Sequence, residues 1–181
     1  MGVHEPLQES APLAARPIVR PPSLAQAQDG LSRLASGVAL AACMTPRGPA
    51  GVLVNSLTGL SAQPPRILFC VRKTEPSHPA LLDAEAVGLS ILADDQQAEA
   101  DPFARAAPPH ERFGPRWTLS EGAPPRLAGA LASIEGRVRS RIDAGSHTVF
   151  VLDIMTAETR PGTPLIYFGR GYLNAAQPEP A

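Results

Sequence analysis

The chain has little that would staple, anchor or charge it. Of its 181 residues only two are cysteines, Cys43 and Cys70. Both lie in apolar runs, and neither has a second Cys or a His at metal-ligand spacing. They read as buried free thiols of a reducing cytosol, not as a disulfide or a zinc site. Aromatic residues are 4% of the chain, with one tryptophan, and charged residues are 18%, with a formal net charge of −1. The basic residues are spread along the sequence, which argues against a nucleic-acid or membrane-surface partner. No apolar run approaches the roughly 20 residues of a membrane span. The N-terminus lacks the basic start and apolar stretch of a secretory signal, and the predicted location is cytoplasmic. GxGxxG, P-loop and HExxH patterns do not occur. What the chain does have is proline, 21 residues of it. The prolines gather in the tails and in two loops and spare the periodic segments, as chain breakers should.

Residues 1–22 carry five prolines and little periodicity, and are predicted to form a disordered or extended arm. Ser23 followed by Gln26 is a capping-box pattern, and Leu24, Ala27, Leu31 and Leu34 then fall at helical spacing. That helix should pack by its apolar stripe. Gly37–Thr45 and Gly51–Asn55 read as a hairpin turned at Pro46-Arg47-Gly48. SLTGLSAQPP reads as a loop, and Ile67–Val71 as a buried strand. Pro76 suits the first position of a short helix over His78–Ala84. Ala86–Ala93 is a further strand, and Asp94-Asp95 can cap a helix to about Ala104. Residues 106–129 read as a long ordered loop containing Trp117.

Ala130–Asp143 has the clearest period in the chain, alternating small or apolar residues with Ser133, Glu135, Arg137, Arg139 and Arg141. It predicts a long antiparallel strand with one wet face. Thr148–Thr156 returns after an Ala144-Gly145-Ser146 turn, and Leu165–Phe168 is the last strand. At least six strands, short hairpins and few helices predict a mainly β domain over 23–174 closed as an antiparallel barrel, with a polar tail at 175–181.

One stretch, Gly48–Leu82, gathers most of the chemistry. Asn55, Ser56, Leu57, Thr58 and Ser61 bring hydroxyls and amides to a strand end. Arg72, Lys73, Ser77 and His78 follow Cys70 one strand later. Cations with hydroxyls and backbone N–H groups suit a phosphorylated, polar ligand. Taken alone, Asn55–Thr58 equally caps a strand and shapes a turn, and Arg72-Lys73 equally makes a solvated turn.

The ordered set of motifs resembles the short flavin reductases of two-component flavin-dependent monooxygenases, which have an FMN-binding split barrel. The resemblance rests on Ser36-Gly37-Val38, Gly48-Pro49-Ala50-Gly51, Asn55-Ser56-Leu57-Thr58, Ser61, Pro64-Pro65, Phe69-Cys70-Val71 and His78-Pro79-Ala80-Leu81-Leu82. It continues through Arg112-Phe113, Gly129–Ala132, Gly145–Phe150, Pro164–Tyr167 and Gly171-Tyr172. It implies a six-stranded Greek-key split barrel, a homodimer, and reduction of FMN or FAD by NADH or NADPH for release to a separate oxygenase. It also implies that His147 faces the flavin and contacts the nicotinamide, that Arg112 and Phe113 close over the ligands, and that Tyr172 borders the nicotinamide pocket. The family often has Gly-Asp-His where this chain has Gly145-Ser146-His147, so the histidine loses an acidic neighbour. Two alternatives stay open on the same fold: a flavin-carrying protein without turnover, and a reductase of another acceptor such as a corrinoid.

Overall fold

The computed structural model describes residues 20–105 and 107–174. The predicted arm therefore lies almost wholly, and the C-terminal tail entirely, outside the described residues. The chain divides after Leu31 into a short N-terminal unit and a body. The N-terminal unit holds helix α1 (Leu24–Ser32), which buries none of its residues. Its capping box is formed: the Ser23 amide donates to Gln26 Oε1 (2.9 Å) and the Gln26 amide to Ser23 Oγ (3.3 Å). Of the expected stripe, Leu24 is 75% and Leu31 71% exposed.

The body opens with β1 (Ser36–Gly37) and the hairpin of β2 (Ala39–Thr45) and β3 (Gly48–Val54). Thr45 Oγ1 donates to the Gly48 carbonyl across the turn (2.8 Å). β4 (Thr58–Ala62) and β5 (Pro65–Arg72) form the next hairpin, turned at Gln63-Pro64. β4 falls within the predicted loop. All five of its residues are exposed, so it has no buried face to leave a period-two pattern. Helix α2 (His78–Asp83) follows, with Ser77 at its N-cap and Pro79, not Pro76, inside its first turn. β6 (Ala86–Ile91), a 3-10 turn (Asp94–Gln96), α3 (Gln97–Ala104) and α4 (Pro109–Arg112) come next. The predicted long loop contains α4 and a two-stranded ribbon of β7 (Trp117–Thr118) and β8 (Arg126–Leu127). Strands of two residues are too short to show periodicity. β9 (Ala132–Ala144) and β10 (His147–Thr159) make a long hairpin, and β11 (Leu165–Phe168) and β12 (Gly171–Asn174) end the described chain.

One seven-stranded antiparallel sheet runs in the order β3-β2-β6-β9-β10-β5-β4. Six of these strands send alternate residues into a single core. Ala39, Ala41 and Cys43 come from β2, Val52 and Val54 from β3, and Ile67, Phe69 and Val71 from β5. Val87 and Leu89 on β6, Phe150 and Leu152 on β10, and the partly buried Ile134 and Val138 on β9 complete it. Phe69 and Phe150, partners in the β5–β10 register, stack with centroids 5.2 Å apart at its centre. This is the predicted six-stranded split barrel, with β4 added at its edge. The ladder has no recorded β3–β4 pairing, and the Ser56 side chain spans the gap from β3 to β5. Its Oγ accepts from the Cys70 amide (2.9 Å) and donates to the Cys70 carbonyl (3.2 Å), as a paired backbone would.

A second core lies on the outer face of β2. Val38, Leu40 and Ala42 pack there with Phe103, Trp117, Leu127 and Leu165. The segment from α3 to β8 supplies most of this cover and is fixed at several points. Buried Gln96 accepts from the Ala93 amide (3.1 Å) and donates to the Ala128 carbonyl (3.0 Å). Ser90 Oγ accepts from the Leu127 amide (3.2 Å). The segment crosses β6 at Gly88, where a Cβ would lie 2.5 Å from the Pro125 carbonyl oxygen. Backbone cannot yield as a flexible side chain does. Gly88→Ala is therefore expected to destabilise the fold by about 1–3 kcal/mol, read as a lower urea midpoint. An unchanged midpoint would show that the segment does not lie on β6 at this point.

Candidate active site

The cleft opens where the second core leaves the outer side of β3 uncovered. Its main part, about 420 Å3, is lined by Val38, Leu53, Asn55, Arg72, Phe103 and Tyr172, with Glu75, Ala104 and Tyr167 among the remaining walls. A neighbouring part of about 210 Å3 shares Asn55, Arg72 and Glu75 and adds Ser56, Cys70 and His147. The main part falls within the roughly 300–1,000 Å3 of small-molecule sites. One end is polar, from Asn55, Arg72 and Glu75. The other is aromatic, with the Tyr167 and Tyr172 rings packed edge to face at 5.9 Å.

Sheet register explains which predicted residues meet. β5 and β10 place Arg72 directly opposite His147, and Cys70 opposite Val149, so these side chains share one face. Among the described residues the Arg72 side chain has no recorded hydrogen bond or ion pair, which leaves its five donors available to a ligand. Lys73 is placed differently. Its Nζ holds both Asp143 carboxylate oxygens at 2.8 Å, and its amide donates to the Ser146 carbonyl (2.9 Å). Asp143 also accepts from the Gly145 amide (2.8 Å), where φ is +71°. The Lys73 hydrogen bond, then the Gly145 amide, hold the Asp143 carboxyl below its usual range. The pair Arg72-Lys73 is thus divided, one cation to the cleft and one to the hairpin turn.

His147 Nδ1 lies 2.8 Å from Ser146 Oγ. A neutral hydroxyl orients the ring and adds no charge. Burial, and then Asp101 and Tyr167, raise the Tyr172 phenol pKa, which keeps its O–H as a donor.

The other predicted residues sit around the cleft without lining it. Leu57 packs against the barrel core. Thr58 and Ser61 are exposed on β4, and Ser61 Oγ donates to the Pro64 carbonyl (2.5 Å). Ser77 is buried and donates to the Gly51 carbonyl (2.5 Å). His78 is buried with its Nε2 2.9 Å from Thr148 Oγ1 and its ring edge-on to Phe150. Arg112 Nη1 reaches the Gly51 carbonyl (3.0 Å), and Phe113 joins an aromatic cluster with Phe103 and Trp117. Sequence reasoning missed Glu75, Phe103 and Tyr167. Tyr167 had a signal: it pairs with Tyr172 across a tight hairpin. Glu75 and Phe103 had none, because their placement depends on a turn and on a distant segment.

Burial pushes the Cys43 thiol up to about 11, whereas Cys70 is only half-buried on the cleft side of β5. This corrects the reading of Cys70 as buried. A thiol reagent should titrate one cysteine in the native protein, Cys70, and both after unfolding. Equal native reactivity of the two would contradict this placement.

Comparison with known proteins gives these features a family. Residues 31–176 match the Flavin reductase like domain, and the chain belongs to that family. Among relatives, the FMN reductase (NADH) SmoA of Agrobacterium fabrum is 30% identical over 80% of this chain and 82% of its own length. The reductase component of 4-nitrophenol 4-monooxygenase/4-nitrocatechol 2-monooxygenase from Rhodococcus opacus is 29% identical over 83% of this chain and 80% of its own. Among solved structures, BorF, the flavin reductase component of a bacterial two-component tryptophan halogenase, superposes with a TM-score of 0.79. It is 30% identical, over 86% of this chain and 100% of BorF. The NADH:FAD oxidoreductase SgcE6 of Streptomyces globisporus has a TM-score of 0.79 at 27% identity, covering 91% and 100%.

Proposed function

We propose that this chain is an NADH-dependent flavin reductase that binds FMN in the cleft and supplies reduced flavin to a separate oxygenase. The observation that carries the reading is the cleft's division into a polar end with an uncommitted guanidinium and an aromatic end. A flavin nucleotide has the matching division, a phosphorylated polar tail and a flat ring system. Bound flavin supplies a two-electron acceptor for hydride from reduced nicotinamide. The protein's part is to hold, orient and exclude water, so the lack of a carboxylate dyad in the cleft is no obstacle.

Arg72 is the phosphate ligand in this reading, since a guanidinium matches phosphate oxygens in pairs. Asn55, whose side-chain amide has no partner among the described residues, meets the polar edge of the ring. Ser56 spends its hydroxyl on Cys70 and acts by fixing the strand exit beside the ring. Thr58, Ser61 and Leu57 flank the ribityl side, and Lys73, Ser77 and His78 act from behind by fixing the Arg72 turn. His147 and Tyr172 border the nicotinamide, and Arg112 and Phe113 support the wall.

The cofactor choice follows from charge. Arg72 is the one arginine among the residues lining the cleft, and no lysine lines it. With Arg72 on the flavin phosphate, no fixed cation remains for a 2′-phosphate, which favours NADH over NADPH. FAD, whose first phosphate has the same position on the ribityl chain, is a second acceptor. A cytoplasmic location agrees with two free thiols, and among the described residues no helix is long and apolar enough to cross a membrane. Ile142 and Met155, 52% and 53% exposed on the β9–β10 hairpin, support a homodimer in which a second copy covers them.

Anaerobic mixing of the protein with excess FMN and NADH tests the activity. Loss of the flavin band over many turnovers is expected. A stable yellow complex would instead mark a carrier without turnover. Arg72→Ala should raise the flavin KM about tenfold with little change in kcat. A parental KM in that variant would remove Arg72 from the phosphate site. Sedimentation should give a mass near twice the chain's 19.0 kDa, and a monomer would end the dimer reading.

A further inference from the structure

Several segments converge on one carbonyl behind the cleft. The Gly51 carbonyl of β3 accepts from buried Ser77 Oγ at 2.5 Å and from Arg112 Nη1 at 3.0 Å. Arg112 Nη1 also lies 3.3 Å from Ser77 Oγ. The Arg112 guanidinium carbon sits 5.7 Å from the centre of the Phe103 ring. Gly51 has no room for a side chain: a Cβ would stand 2.9 Å from the Ala41 carbonyl oxygen and 3.1 Å from Phe113 Cζ. Val52, the next residue, lines both parts of the cleft, and Phe103 lines the main part. Helix α4 has no buried residue, and its other recorded side-chain link, Arg105 to Glu111, stays within its own segment. Among the described residues Arg112 is therefore the one recorded polar tie from α4 to the barrel. Its Nε is buried without a partner among the described residues, and burial lowers its pKa against the opposing charge of Glu75.

We propose that Arg112 is a positioning residue that sets the width of the cleft, clamping the Phe103 wall to the Gly51 carbonyl of the floor strand. It touches neither flavin nor nicotinamide. It acts through Phe103 and through the Ser77 junction that begins α2, directly after the turn carrying Arg72 and Glu75. The inference rests on the flavin-reductase reading for its kinetic consequence, though the clamp itself does not.

Arg112→Gln and Arg112→Lys test it. The glutamine variant should raise the KM of flavin or NADH about tenfold while kcat stays within about twofold. Lysine, which keeps a donor for the carbonyl but not the flat group over Phe103, should fall between. Trp117 packs on Phe113 and Phe103 and is the only tryptophan, so its emission reports the wall without any ligand. That emission should shift to the red in Arg112→Gln and return part-way in Arg112→Lys. If the glutamine variant does not fold, Ser77→Ala should give the same pattern at about threefold in KM. Unchanged KM values with unchanged Trp117 emission would overturn the proposal. So would a fall in kcat at parental KM with normal emission, which would put Arg112 on the reacting groups. A protein with no NADH turnover but a red-shifted variant would sink the enzymatic reading and leave the clamp standing.

Discussion

Everything at the site depends on one hydroxyl that replaces a missing backbone ladder. β3 leaves the sheet at Val54, and β4 pairs on its far side with β5 alone. Without Ser56 the part-buried Cys70 amide and carbonyl would lose this partner. Ser56 meets both the Cys70 amide and carbonyl, and so closes the seam with a side chain. A seam made this way leaves the adjoining backbone and Asn55 free of strand partners. The side-chain seam of the barrel and the polar lip of the cleft are the same place.

The second constraint is the cover over β2. A barrel of this size fills its interior with side chains and has no room inside for a nucleotide. A pocket must therefore be built outside, between a strand and something laid upon it. Here the α3–β8 segment, held by Gln96, Ser90 and Arg112, forms one wall, and the β11–β12 hairpin with its two tyrosines forms the other. The cleft is the strip of β3 that neither covers. Catalysis of hydride transfer asks for orientation more than for acid–base groups, and a rigid strand between two pinned walls meets that demand.

Legibility in the sequence followed burial. β2, β5, β6 and β10 each carry an apolar run or alternation, because each presents one face to the Phe69–Phe150 core, and all were readable. β4 was not, since five exposed residues carry no period. The α1 stripe differs: its pattern is genuine, but among the described residues the helix has no buried residue. At the site, Asn55 and Arg72 are legible as polar and cationic residues at strand ends, and His147 and Tyr172 through the family resemblance; the four lie around one cleft. The division of Arg72 from Lys73 was not legible, because it depends on which sheet face each side chain takes after the strand ends. Glu75 and Phe103 stayed hidden because no local rule joins a turn after β5 to the end of α3. Beside His147 the Ser146 hydroxyl orients the ring, while the acid of the hairpin, Asp143, is spent on Lys73.

We propose a place for the flavin: outside the barrel, along the β3 exit, with its phosphate on Arg72. Diffraction from crystals soaked in FMN measures this directly. The account predicts density for the ring system between Asn55 and the tyrosine pair, with the phosphate within hydrogen-bonding distance of the Arg72 guanidinium. Flavin density at any other surface, with this strip of β3 bare, would contradict it.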